Sequence, residues 1–174
     1  MTSKALILVD FENEWVDENS EEYVGDISGT IRKTNRLVDF CREKDWKIIW
    51  TRHVDKNSND AWSEDSNGTQ IINDLDKKDS DVVITKYKIS PFFETSLEEE
   101  LKGVDEVIVC GILTNLCVRS FVQDAYDRDF DIKVIKDCCV AFDDETQEFT
   151  FRDLKATREE LEFFDLDEFL DRKV

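Results

Sequence analysis

Short apolar runs alternate along this chain with longer segments in which apolar residues recur every three or four positions. The first run, residues 5–9 (ALILV), contains no polar residue, which is typical of a strand covered on both faces of a sheet. Four further runs predict strands at 47–50, 81–85, 107–110 and 132–135. Strands that alternate with helices predict a parallel sheet with helices on both of its faces.

The segments between the apolar runs have the spacing of amphipathic helices. The predicted helices are 27–44, 96–102, 115–129 and 145–157, and the last part of the chain adds a short strand at 162–164 and a turn at 166–170. The prediction is a three-layer αβα fold of the Rossmann-like class with a parallel sheet of about six strands. The length fits a single domain of residues 1–174.

The charge of the chain limits its partners. It contains 42 acidic and 23 basic residues, which gives a net charge of −19. Such a surface repels nucleic acid and anionic membranes, so we expect neither as a partner. The acidic surface is typical of a very soluble cytosolic protein or of a protein from a high-salt cytoplasm, and the sequence leaves both open.

Several features indicate a cytoplasmic protein without a cofactor. The chain has no apolar run long enough to cross a bilayer, and its first residues show no signal-peptide pattern. Its five cysteines lack paired spacing, which favours a reducing compartment. A Gly-rich phosphate loop is missing, and a single histidine, His53, cannot build a His-rich metal site. We therefore expect no catalytic metal, with an acidic cluster of Asp10, Glu12 and Glu14 as the alternative.

Cys117 is the residue that most strongly indicates chemistry. An apolar strand leads into segment 111–118 (GILTNLCV) and a helical pattern follows, so the thiol is expected in the first turn of a helix. Unpaired backbone N–H groups and the positive end of the helix dipole favour the thiolate at that position. A small buried hydrophobic residue is the alternative interpretation of a free cysteine.

Asp10 and Lys86 also follow predicted strands. Because the carboxyl ends of parallel strands meet at one edge of a sheet, these two residues and Cys117 can converge there. Taken singly, Asp10 could cap a helix and Lys86 could be a solvated surface lysine. Together they predict an amide hydrolase with an acid or base, a cation that favours the thiolate, and a nucleophile.

The substrate pocket is less sharply indicated. The aromatic residues Trp15, Trp62 and Phe92 are expected near the same edge, together with Thr114. Packing in the core or in a lid is the alternative role for the aromatic rings. The polar stretch 55–68 predicts a long loop that takes part in substrate binding.

Three separated segments resemble the isochorismatase-like cysteine hydrolase family. Segment 6–15 (LILVDFENEW) resembles the opening strand of the family, its catalytic Asp and an aromatic residue five positions later. Segment 86–97 (KYKISPFFETSL) resembles the family pattern Lys-x-x-x-Ser-x-Phe-x-x-Thr-x-Leu. Segment 111–118, followed by Asp124 and Asp137, resembles the nucleophile turn with the helix and strand behind it. The resemblance covers nearly the whole chain and implies the isochorismatase-like hydrolase fold.

The resemblance implies a role for each residue of the site. Cys117 would attack the carbonyl carbon of an amide, and Asp10 would carry protons between the thiol, the leaving amine and water. Lys86 would hold the thiolate and orient Asp10. The backbone N–H groups of Leu113 and Cys117 would form an oxyanion hole, shaped by a cis peptide between Ile112 and Leu113. The family also implies a homo-oligomer.

Departures from the family pattern bear on the substrate. Metal-containing nicotinamidases of the family have an Asp-x-His and a second His after the second strand, whereas residues 51–55 (TRHVD) offer one His. Isochorismatases proper generally lack the cysteine and cleave a vinyl ether, so Cys117 argues for C–N cleavage. Glu12 stands where the family often has Gln, either beside Asp10 as a charge that tunes it or in solvent.

The sequence therefore predicts a metal-independent cysteine hydrolase that acts on a small amide, carbamoyl or ureido compound through an acyl-thioester intermediate. Nicotinamidase activity, isochorismatase activity and a catalytically silent small-ligand binding protein of the same fold are the alternatives.

Overall fold

A computed structural model describes residues 3–172, and its centre is a six-stranded sheet in which all neighbouring strands are parallel. The strands are β1 (Lys4–Val9), β2 (Lys47–His53), β3 (Val82–Lys86), β4 (Glu106–Ile112), β5 (Asp131–Val140) and β6 (Glu162–Phe164). Their order across the sheet is β3-β2-β1-β4-β5-β6. The predicted parallel sheet of about six strands is confirmed, and its two central strands are the ones with continuous apolar runs.

Helices cover both faces of this sheet. They are α1 (Ser28–Glu43), α2 (Leu97–Glu100), α3 (Arg119–Tyr126), α4 (Asp144–Thr157) and α5 (Leu166–Leu170). The crossover from β1 to β2 runs in the opposite direction to that from β4 to β5, so right-handed connections place α1 and α3 on opposite faces. The C-terminal α5 returns to the face of α1, where the Phe40 and Phe169 ring centroids are 6.0 Å apart.

The strand order creates a crevice at the carboxyl edge of the sheet, where the sequence patterns predicted the site. The chain leaves β1 toward one edge of the sheet and leaves β4 toward the other, although the two strands are neighbours. Ligand sites of open α/β sheets form outside the carboxyl ends of the strands at such a point. Asp10 follows β1, Lys86 is the last residue of β3, and the turn that carries Cys117 follows β4.

Two predicted elements differ from the structure. The fifth strand does not end at residue 135 but continues to Val140 through a bulge, because Val109 pairs with Val134 while Gly111 pairs with Cys139. The bulge carries Asp137, which accepts hydrogen bonds from the Lys33 ammonium and the Leu166 N–H and so ties α1 and α5 to the sheet. These polar contacts explain why the apolar pattern is interrupted there.

The helix expected at 115–129 is divided into two parts. A π-helical turn, Thr114–Val118, comes first, and α3 proper begins only at Arg119. Among residues 3–172, no helix has the length and apolar character that a membrane span requires.

Candidate active site

The structure brings Asp10, Lys86 and Cys117 together at the carboxyl edge of the sheet. The Lys86 Nζ atom lies 2.7 Å from Asp10 Oδ2 and 3.5 Å from Cys117 Sγ. Asp10 and Lys86 are fully buried, and Cys117 is 6% exposed. One ammonium therefore contacts both a carboxylate and a thiol in a site that excludes most water.

Asp10 is fixed by β2 as well as by Lys86. Its backbone has φ 50°, so the chain turns sharply as soon as β1 ends. The Thr51 hydroxyl donates a 2.6 Å hydrogen bond to Asp10 Oδ1, while Oδ2 faces the lysine. Thr51 is a functional residue that the sequence analysis missed, although a hydroxyl directly after the apolar residues of β2 was a usable signal.

The Lys86 ammonium has two further neighbours. It donates to the Lys88 carbonyl oxygen at 3.1 Å, and its Nζ is 3.3 Å from His53 Nδ1. Burial lowers the pKa of Lys86, but the charges of Asp10, Cys117 and Glu12 outweigh burial and raise it overall. The lysine thus stays protonated at neutral pH.

A protonated Lys86 defines the state of His53. Only a neutral imidazole can accept a hydrogen bond at Nδ1, so the ring proton lies on Nε2. That nitrogen is 3.2 Å from Asp55 Oδ1. From its sequence position His53 was expected only as a metal ligand, whereas in the structure it contacts the Lys86 ammonium.

Two influences act in opposite directions on the Cys117 thiol. Burial is the largest influence and raises the pKa of Cys117, Asp10 raises it further, and Lys86 lowers it without reversing the direction. Desolvation thus opposes the thiolate that the sequence led us to expect, and the regular helix begins only two residues later. The resting thiolate stays a prediction. A base must take the proton before the sulfur can attack, and Asp10 is the neighbouring carboxylate.

The backbone that leads to Cys117 is unusual in two places. The peptide bond between Ile112 and Leu113 is cis. Gly111 has φ 150°, and a Cβ on this residue would lie 2.2 Å from the Val9 carbonyl oxygen. The Leu113 carbonyl then accepts hydrogen bonds from the N–H groups of Leu116 and Val118, which closes the π-helical turn.

Thr114 ties this turn to a neighbouring helix. Its buried Oγ1 donates a 3.0 Å hydrogen bond to Gln147 Oε1 on α4. The Gln147 amide in turn donates to the Cys139 carbonyl oxygen at 3.3 Å. Thr114 therefore anchors the turn, and its predicted pocket role stays a prediction because the hydroxyl oxygen can still accept a hydrogen bond.

Two of the three predicted aromatic residues form a wall beside the site. The ring centroids of Trp15 and Trp62 are 5.1 Å apart, and those of Trp15 and Phe142 are 6.1 Å apart. Trp62 also packs edge-on against His53 at 6.1 Å. The wall therefore joins the catalytic cluster through His53, and Phe142, a half-exposed ring after β5, is a member that sequence reasoning missed.

Phe92 belongs to the packing around α3. Its ring stacks on Phe121 and Phe130, with centroids 5.5 and 6.5 Å away. The Arg128 guanidinium lies 4.4 Å from its centroid. These contacts show core packing, which was the alternative role for Phe92. The pocket assignment of Phe92 is therefore corrected.

Glu12 is buried beside the catalytic residues and not in solvent. It is 0% exposed, and its backbone forms an antiparallel bridge with Ile71. Burial, and after it the charge of Asp10, hold the pKa of the Glu12 carboxyl well above its ordinary value. The sequence identified this position, but only the structure shows that the carboxyl is enclosed.

Replacing Glu12 by glutamine is expected to stabilise the protein at neutral pH. The pKa of Glu12 is higher in the folded protein than its ordinary value of 4.5. The free energy of unfolding of the wild type therefore falls as the pH rises from 4.5 toward the pKa of the folded state. The amide does not titrate, so its stability advantage should be small at pH 4 and larger at pH 8. Urea unfolding at both pH values, with Glu14→Gln as the neighbouring control, tests this. An equal difference at both pH values contradicts it.

The potential ligands do not form a metal site. Among residues 3–172, no group of three or more His, Cys, Asp or Glu side chains could hold one ion. His53 contacts Lys86 and Asp55, and the Asp10 oxygens face Thr51 and Lys86. We therefore derive no step through a metal ion.

Comparison with known proteins adds four findings. Residues 4–161 match the family model described as the Isochorismatase domain. The chain is 30% identical over 156 residues to the uncharacterized isochorismatase family protein YaaI of Bacillus subtilis, covering 84% of this chain and 85% of the relative. It is 27% identical over 165 residues to nicotinamidase 3 of Arabidopsis thaliana, covering 86% and 79%. N-carbamoylsarcosine amidase from Thermoplasma acidophilum shares its fold with a TM-score of 0.81 and 21% identity, covering 96% and 98%.

Proposed function

The chain belongs to the isochorismatase family, and from that premise we propose that it is a cysteine hydrolase that cleaves the C–N bond of a small amide, carbamoyl or ureido compound. The observation that carries this proposal is the Lys86 ammonium, which lies between the Asp10 carboxylate and the Cys117 sulfur. A nucleophile, a base and a cation that orients both are the groups that acyl transfer requires.

The first half of the reaction forms a thioester. Asp10 takes the proton of the Cys117 thiol, and the sulfur attacks the carbonyl carbon while Lys86 balances the negative charge. The backbone N–H groups of Leu113 and Cys117 are the proposed donors to the carbonyl oxygen as it becomes an oxyanion. Protonated Asp10 then gives its proton to the leaving nitrogen, so the C–N bond breaks and ammonia or an amine departs.

The second half restores the thiol. Asp10, again a carboxylate, takes a proton from a water molecule, and the resulting hydroxide attacks the thioester carbonyl. The C–S bond breaks, the acid product leaves, and Cys117 regains a proton from Asp10. The cycle consumes one water, requires no oxidant or reductant, and uses one carboxylate for every proton transfer.

Two other activities of the family remain as alternatives. Similarity to an Arabidopsis nicotinamidase favours nicotinamide as a substrate. A vinyl-ether substrate, the isochorismatase alternative, would not require a cysteine nucleophile. A silent binding protein would not require the buried contact between Lys86 and Cys117.

A product screen separates these possibilities. The protein is incubated with small amides, ureido compounds, nicotinamide and isochorismate, and ammonia, nicotinic acid and pyruvate are measured. We expect ammonia release together with an acyl adduct on Cys117 detected by mass spectrometry. Pyruvate without ammonia would support the vinyl-ether reaction, and release of no product together with a Cys117 that forms no adduct would support a binding protein.

A further inference from the structure

The Glu12 carboxyl is a buried acidic group beside Asp10 and Lys86 that the mechanism above leaves unused. It is fully buried, and neither of its oxygens accepts a hydrogen bond of full geometry from residues 3–172; the nearest donor is the His53 backbone N–H, which lowers the pKa of Glu12 less than burial raises it. Burying an unpaired carboxyl costs free energy that a protein recovers only when a partner arrives. In its carboxylate form this planar group offers acceptors on both oxygens, which fits a ligand with two N–H donors.

The surroundings of Glu12 place it at the reaction centre. Its backbone N–H donates a 2.9 Å hydrogen bond to the Asp10 carbonyl oxygen. The charged groups that act on its carboxyl are Asp10 after β1, Arg52 on β2 and Lys86 on β3, and the backbone N–H of His53 on β2 also faces it. The Asp10 oxygens are engaged by Thr51 and Lys86, so the Glu12 oxygens are the carboxylate acceptors left for a substrate.

The same turn carries an unpaired donor. Trp15 Nε1 is buried without a partner among the described residues, and the Trp15 backbone N–H donates to the Glu12 carbonyl oxygen at 3.2 Å. A purely structural turn would pair such groups internally, as the nearby Ser20 hydroxyl pairs with Glu14 Oε1 at 2.6 Å. In segment 12–15 the Asn13 and Glu14 side chains are thus paired, whereas the Glu12 and Trp15 side chains carry unpaired atoms among the described residues.

We propose that Glu12 determines substrate specificity by accepting two parallel hydrogen bonds from a ureido group, so that the enzyme prefers a ureido compound to the matching simple amide. This inference rests on the proposed function. In a ureido group, one N–H of each nitrogen points away from the carbonyl oxygen. When that oxygen enters the oxyanion hole, both N–H groups point to the opposite side, where one carboxylate can accept both.

A simple amide cannot complete this arrangement. It has CH₂ in place of the second N–H, so one Glu12 oxygen would stay buried and unpaired. The chemistry for the ureido compound is balanced: Cys117 forms a C–S bond to the carbamoyl carbon, ammonia leaves with a proton from Asp10, and water releases a carbamic acid. The carbamic acid then loses CO₂ to give an amine, with no change of oxidation state.

The test uses two probes that differ in one group, N-propylurea and pentanamide. The second nitrogen of a urea makes its carbonyl a poorer electrophile than that of an amide, so the effect of Glu12 is measured as the change in the N-propylurea to pentanamide ratio of kcat/KM between wild type and variant. Glu12→Gln replaces one acceptor by a donor and Glu12→Leu removes both, so each should lower that ratio by about 10–100-fold, the effect of one buried hydrogen bond to a charged group. Glu14→Gln, which changes the paired carboxyl two positions away, should leave the ratio unchanged.

A pH profile separates binding by Glu12 from a structural role. Two N–H donors require the carboxylate form, so the N-propylurea to pentanamide ratio should rise with pH in wild type and stay flat in Glu12→Gln. A ratio that is independent of pH, or that survives Glu12→Gln, overturns the inference. Because Asp10, Lys86 and Cys117 act equally on both probes, their titration cancels in the ratio.

Failure of the inference and failure of the proposed function give different results. If both probes are hydrolysed in a Cys117-dependent reaction at a ratio that Glu12→Gln leaves unchanged, only the inference fails. If neither probe is hydrolysed, the proposed function loses support, and calorimetric binding of the two probes to wild type and Glu12→Gln decides the role of Glu12. Tighter binding of N-propylurea that Glu12→Gln abolishes supports the inference, and equal binding overturns it.

Discussion

Alanine in place of Cys117 is expected to abolish turnover while the protein remains folded. Loss of the nucleophile removes the step that forms the thioester, so kcat/KM should fall by at least about 10⁴-fold, as for other hydrolases whose nucleophile is removed. The fold should persist because the change deletes one sulfur at the edge of the sheet and leaves the Asp10–Lys86 pair intact. Single-turnover rates, mass spectrometry of the adduct and thermal melting measure the three parts of this expectation.

A second cysteine provides the matched control. Cys41 is fully buried in α1 and makes no contact with Lys86 in the described structure, so Cys41→Ala removes the same atom from an apolar site. That variant should lose stability but keep its kcat. Retention of most activity by Cys117→Ala would instead exclude a cysteine nucleophile.

Asp10 and Cys117 should behave as one unit. Asp10→Asn keeps the size of the side chain but cannot carry protons, so both halves of the reaction should fail. Residues that cooperate in one step show non-additive effects. The double variant Asp10→Asn with Cys117→Ala should therefore be little slower than Cys117→Ala alone.

The sequence was sufficient for the parts of this molecule that depend on local pattern. The continuous apolar runs of β1 and β4 identified the centre of the sheet, because a strand buried on both faces has no polar positions. Parallel strand order then placed Asp10, Lys86 and Cys117 at one edge without any knowledge of distances. Their mutual contacts follow from topology more than from the identity of neighbouring residues.

The remaining features depend on contacts between distant segments. Thr51, His53 and Phe142 join the site from elements far apart in sequence, and no local pattern assigns a partner to a single hydroxyl, imidazole or phenyl ring. The bulge around Asp137 depends on its ties to α1 and α5. The raised pKa of Cys117 is caused mainly by burial, which a sequence does not measure.

Gly111→Ala is expected to be the most destabilising single change in this site. Gly111 pairs with Val9 at the centre of the sheet, and a Cβ there would lie 2.2 Å from the Val9 carbonyl oxygen and 2.7 Å from its Cβ. The obstacle is backbone of a fully buried strand, which cannot move aside as a side chain can. We expect a loss of more than about 4 kcal/mol, or failure to fold, which is a large share of a typical stability of about 5–15 kcal/mol.

Gly103→Ala separates this steric effect from backbone strain. Gly103 also has a positive φ, 78°, but no atom lies within 4 Å of its ideal Cβ position. The variant should lose only about 1 kcal/mol, the usual cost of a left-handed non-glycine residue. Urea unfolding of both variants measures the difference. If Gly111→Ala is no less stable than Gly103→Ala, then β1 and β4 are not held as closely as the structure shows. Any separation that admits the methyl group would also move Asp10 away from Cys117, so activity and stability of Gly111→Ala should be lost together.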